Sequence, residues 1–146
     1  MLILVLMESV ILAINPADKD FTWYQRLRRP EWLRFFIWLP LIWLVISGAL
    51  YFAALDSWQA TRSWVVVLLF LLLQAMLEGH TWLLCRSRSL RAGSVALMVA
   101  WAYALVLALS LALQDVSATA PLLMLPVLLW APLEALALEQ MRLLNR

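Results

Sequence analysis

The stretch GSVALMVAWAYALVLALSLAL, Gly93 to Leu113, runs 21 positions without a charged residue. A helix of that length reaches about 30 Å, the thickness of a bilayer's hydrocarbon core. A barrel strand would instead alternate polar and apolar residues over about 10 positions, so the run reads as a membrane-spanning helix. Phe35 to Leu55 and Val116 to Leu133 are also free of charge, and Ser63 to Leu77 continues past Glu78 and His80 to Cys85. Met1 to Ile14 is apolar except for Glu8 and Ser9, but it reaches only about 21 Å and makes a short fifth span. It lacks the basic start and small-residue cleavage site of a signal peptide. The predicted fold is all-α, one five-helix transmembrane bundle over 1–146, with spans at about 1–14, 35–55, 63–85, 93–113 and 116–140.

Composition agrees with that reading. The chain is 66% hydrophobic and 14% charged, whereas a soluble domain is about a quarter charged. A lone cysteine, Cys85, excludes an intrachain disulfide framework and a cysteine metal centre. No nucleophile and base pairing, phosphate-binding glycine loop or nucleic-acid patch occurs, so no catalytic residue and no nucleic-acid partner is assigned.

The basic residues sort by side. Lys19, Arg26, Arg28, Arg29 and Arg34 precede the second span, Arg86, Arg88 and Arg91 follow the third, and Arg142 and Arg146 end the chain, against Arg62 alone on the other face. Positive charge gathers on the cytoplasmic side. The expected placement is therefore an integral protein of a bacterial inner membrane, with its N-terminus outside and its C-terminus cytoplasmic.

Two patterns bear on packing. Ala92, Ala96, Ala100, Ala104, Ala108 and Ala112 recur every fourth residue, a ridge that lets another helix approach closely, in this chain or in a homodimer or larger complex. Pro40, Pro121, Pro126 and Pro132 fall inside apolar runs, where a missing N–H kinks a helix and can shape a pocket.

Three acids stand where lipid excludes them. Glu8 precedes Asn15 by seven residues, Glu78 precedes Arg86 by eight and Glu134 precedes Arg142 by eight, which puts all three about 10 to 12 Å inside the basic boundary. Such carboxylates face a bundle interior and mark pairing or function. At least two of them are expected to share a polar site, with Gln74 one turn from Glu78 and His80 nearby. The site's use is open between close carboxylates that hold a proton, ligation by His80 of a metal or of a tetrapyrrole's central metal, and pairing of Arg34 with one acid. Neither Glu78 nor His80 belongs to a metal-ligand spacing, and no protein metal site is assigned.

The segment Trp23-Tyr24-Gln25-Arg26-Leu27-Arg28-Arg29-Pro30-Glu31-Trp32 carries aromatic and basic residues suited to membrane lipid headgroups. It also resembles the W-Y-x-x-L-x-[KR]-P-x-W motif of the tryptophan-rich sensory protein or translocator protein (peripheral benzodiazepine receptor) family, five-helix membrane proteins. Trp43 follows at that family's spacing, and Pro126, Trp130, Leu144 and Asn145 match its P-Y-x-x-W and L-N elements. The chain departs from the family pattern at Arg34 and Phe35, Glu78, Val127, Glu134 and Leu138. With Val127 in place of tyrosine, the family's C-terminal cholesterol-recognition motif is missing.

The resemblance implies a pocket under the first cytoplasmic loop that binds porphyrin or haem, lined by Trp23, Tyr24, Pro30, Trp32, Trp43 and Trp130, with Glu134 adding a carboxylate. No obligatory cofactor is implied. The role would be sensory, regulatory or in transport. Two other readings are a non-catalytic accessory subunit of a larger membrane complex and a small proton- or cation-coupled carrier using the three acids.

Overall fold

The computed structural model describes residues 1–14, 18–31 and 38–145. Among them there is no strand, and the helices in chain order are α1 (Leu2–Ile14), α2 (Asp18–Gln25), α3 (Leu39–Thr61), α4 (Trp64–Ser87), α5 (Leu90–Leu113), α6 (Ala120–Leu123) and α7 (Leu125–Leu144). Among the described residues, four stretches have the length and apolarity to cross a membrane: α3, α4, α5, and α6 with α7 taken together. With 13 residues, α1 is shorter than a span. The fold is an all-helical membrane bundle in which the four stretches of spanning length fall at the second to fifth expected spans and the shorter α1 falls at the first.

The second span extends beyond Leu55 because Asp56 does not end it. The Asp56 carboxylate accepts hydrogen bonds from the hydroxyls of Ser117 and Thr119, which ties α3 to the loop before α6. Two-residue turns join α3 to α4 and α4 to α5, and each begins with an arginine in the left-handed region, Arg62 at φ 55° and Arg88 at φ 49°. At the second turn Ser89 caps α5 by accepting the Ala92 N–H at 3.2 Å.

Helix α5 packs between α4 and α7, and α4 also meets α1 and α3. The alanine ridge lies at the centre of this packing. Ala100 and Ala104 are fully buried and Ala108 nearly so. The middle of the ridge is therefore covered by helices of the same chain. At the basic end of the bundle, a Cβ on Gly93 would lie 2.6 Å from the Leu84 side chain, so glycine permits the close approach of α4 and α5 there. Leu68, Leu72, Val99 and Val106 are exposed on the outer faces, as suits helices solvated by lipid.

The prolines require a correction. Pro40, Pro121 and Pro126 occupy first turns of α3, α6 and α7, where the missing N–H has no helical partner to lose. Among the described prolines, only Pro132 lies inside a helix. Its missing donor frees the carbonyl of Leu128, and the Trp101 indole N–H of α5 donates to that oxygen at 3.0 Å. A neighbouring helix thus restores the bond that proline removes.

Candidate functional site

Near the basic end, α2, α3, α4 and α7 enclose a cavity of about 230 Å³. Tyr24 closes it from α2, while Leu39, Pro40 and Trp43 come from the first turns of α3. Leu77, Glu78, His80, Thr81 and Leu84 form the α4 wall, and Glu134 enters from α7. The walls are largely apolar. Two carboxylates and one imidazole supply its ionisable groups within the membrane helices.

His80 is the most constrained of these. It is 2% exposed, its ring stacks on Trp43 with centroids 5.6 Å apart, and its Nδ1 bonds to the Leu77 carbonyl. A carbonyl only accepts, so Nδ1 carries a hydrogen. Nε2 then faces Thr81 Oγ1 at 3.3 Å and Glu134 Oε1 at 3.7 Å. A hydrogen stands between Nε2 and the carboxylate only when the two groups together hold one further proton. The other Glu134 oxygen accepts the Trp130 indole N–H at 2.7 Å. Gln74, 1% exposed, donates from Nε2 to Glu78 Oε1 at 3.1 Å.

Glu78, Glu134 and His80 thus meet in one cavity, with Gln74 bonded to its edge. Glu8 does not join them. It is exposed on α1, one residue beyond the buried Met7, and a step of about 100° around the helix turns it outward. Equal depth did not place the three acids on facing sides. Among the described residues, no three His, Cys, Asp or Glu side chains come close enough to hold a metal ion.

The aromatic candidates divide. Tyr24 and Trp43 line the cavity. Trp130 lines a neighbouring apolar groove of about 330 Å³ between α3 and α7 and reaches the cavity only through its bond to Glu134. Trp23 faces a different recess at the basic end, Pro30 is half-buried outside both cavities, and Trp32 lies outside the described residues. Thr81, absent from the sequence candidates, comes into reach because it neighbours His80 and the α4 turn brings its hydroxyl beside Nε2.

Two features hold the first loop over the cavity. Arg29 lies 5.7 Å from the centre of the Tyr24 ring, placing a guanidinium at the loop end. Asn145, just past α7, accepts the Arg28 N–H at 2.9 Å and donates to the Arg28 carbonyl at 2.9 Å. Burial pushes the Tyr24 hydroxyl well above the ordinary tyrosine value, and the negative charge of Glu134 pushes it further.

No curated protein and no solved structure matches the chain. The TspO/MBR family model matches residues 1–143, nearly the whole length. Hydropathy, the loop motif and this match agree: the chain is an integral membrane protein that belongs to the TspO/MBR family.

Proposed function

We propose that the cavity beneath the first loop binds a tetrapyrrole, porphyrin or haem, and that the protein serves a sensory, regulatory or transport role through it. Family membership supports a membrane role of the tetrapyrrole- and sterol-binding type. The observation that carries the narrower reading is the aromatic wall of Tyr24 and Trp43 facing His80 under an arginine-bearing loop. Flat rings stack on such walls, and guanidinium groups pair with propionates.

The cavity alone is smaller than the ~300–1,000 Å³ of most small-molecule sites. It meets the α3/α7 groove at the Trp130–Glu134 bond, so a macrocycle would enter the cavity with one edge and rest against the groove. In this reading α1 completes a five-helix bundle as a short fifth span, and the basic end is cytoplasmic.

The test is titration of the purified protein with protoporphyrin and with haem, read by tryptophan quenching and the shift of the porphyrin absorption band. Trp43→Leu should weaken binding by about tenfold or more, on the scale of a lost stacking contact of ~1 kcal/mol plus its buried area. Absence of quenching in the wild type, or an unchanged titration in Trp43→Leu, would sink the proposal. The convergence of Glu78, Glu134 and His80 favours a second reading, a proton- or cation-coupled carrier. A pH profile of transport left unchanged by a Glu78→Gln/Glu134→Gln variant would remove it.

A further inference from the structure

A second recess, about 370 Å³, opens at the basic end between the first loop, the α4–α5 turn and the end of α7. Three guanidinium groups line it from three different elements: Arg88 at the end of α4, Arg91 in the first turn of α5 and Arg142 in the last turn of α7. The charge is only partly compensated. Arg142 donates from Nε to both carboxylate oxygens of Glu139 at 2.9 Å. Among the described residues, no carboxylate lies within ion-pair reach of Arg88 or Arg91. The recess therefore presents two uncompensated positive charges.

Its other walls suit an oxyanion. The Ser89 hydroxyl oxygen accepts the Ala92 N–H, which leaves its own hydrogen free to donate into the recess. The Asn145 side chain is spent on the loop, so it shapes the recess without competing for a ligand. Trp23 provides an aromatic wall, and neither Glu78 nor Glu134 lines this space.

We propose that this recess is a phosphate-binding site in which Arg88 and Arg91 engage phosphate oxygens and Ser89 donates to a third. Guanidinium forks match phosphate geometry, and basic pockets between transmembrane helices suit anionic headgroups. The phosphate has two sources, the headgroup of an anionic phospholipid or a free phosphate compound. The site is separate from the tetrapyrrole cavity and stands or falls independently of it.

The full chain, purified in neutral detergent and stripped of lipid, is tested in two arms. Native mass spectrometry counts phosphatidylglycerol against phosphatidylcholine retained after an equimolar mixture of the two is added back, and calorimetry on the lipid-free protein measures inorganic phosphate. Preferential retention of phosphatidylglycerol without phosphate binding assigns the headgroup, whereas phosphate binding in lipid-free micelles assigns the free compound. In either case an Arg88→Gln/Arg91→Gln variant should bind about tenfold more weakly, and Arg88→Lys/Arg91→Lys should recover part of the loss because charge returns without the fork. Arg91→Gln alone serves if the double variant does not fold. Equal retention of both lipids with no phosphate binding overturns the proposal, as does undiminished binding in a folded glutamine variant.

Discussion

Glu134 sets the chemistry of the cavity at the scale of single residues. One oxygen holds the Trp130 indole and the other faces His80, so the side chain both anchors a wall and places negative charge beside the ring stack. Glu134→Gln keeps an acceptor for Trp130 and removes the charge. Binding of a dianionic porphyrin should tighten about tenfold, or ~1.4 kcal/mol, in a fluorescence titration. A weaker complex would mean that the carboxylate, rather than opposing the ligand, holds it.

Tyr24 gives a pH prediction. Its hydroxyl sits above the ordinary tyrosine value of 10.0, chiefly through burial and then through Glu134. The unfolded chain releases this proton first as pH rises. Tyr24 therefore supports folding fully below pH 10.0 and loses that support as pH climbs through its folded value. Ultraviolet titration at the phenolate band, taken as the difference between wild type and Tyr24→Phe, should show no ionisation at pH 10.0 until the protein unfolds. Sequence depth placed Glu78 and Glu134 at one level but said nothing of direction around each helix, so Glu8 was grouped with them. His80 was legible only as a polar residue near a helix end. Its stack on Trp43 depends on how α3 leans against α4, which no local pattern encodes.

At the scale of helices, the backbone repair between α5 and α7 is testable. Trp101→Phe leaves the Leu128 carbonyl without its donor and should cost ~1–3 kcal/mol. In a Pro132→Ala background, residue 132 regains an N–H for that same carbonyl, and the cost of Trp101→Phe should largely vanish. Thermal unfolding of the four proteins in detergent measures the coupling, and additive effects would show that the two residues act separately. The long apolar runs made the helices legible, because continuous hydrophobicity in lipid leaves few other folds. The proline positions were not, since a run of apolar residues conceals where one helix starts and another stops. Alanine spacing likewise identified a packing face without naming its partner.

For the whole molecule, polar ties fasten the two ends of the bundle, while apolar packing and the Trp101 bond to Leu128 hold the middle. Asp56 joins α3 to the loop before α6 at one end, and Asn145 joins the first loop to α7 at the other, across 117 positions of sequence. Asn145→Ala removes both bonds to Arg28 and should loosen the loop over the cavity. Limited trypsin digestion should then cut after Arg26 or Arg28 about tenfold faster, following an opening made easier by ~1.4 kcal/mol. An unchanged rate would show that the loop is held mainly by Tyr24 and its neighbours. The Asn145 position carried a family motif in the sequence, but its partner did not, because the bond uses the backbone of Arg28 and leaves no signature in residue type.

The turn ending α4 joins two demands that elsewhere stay apart. Arg88 occupies a backbone region that costs most side chains roughly 1–2 kcal/mol and that glycine enters freely. A glycine there would relax the chain yet delete one of the three guanidinium groups that line the recess at the basic end. Conformational ease and the charge of the recess therefore pull this one position in opposite directions. With arginine there, the bundle gives up backbone comfort to keep a positive charge at the mouth of that recess.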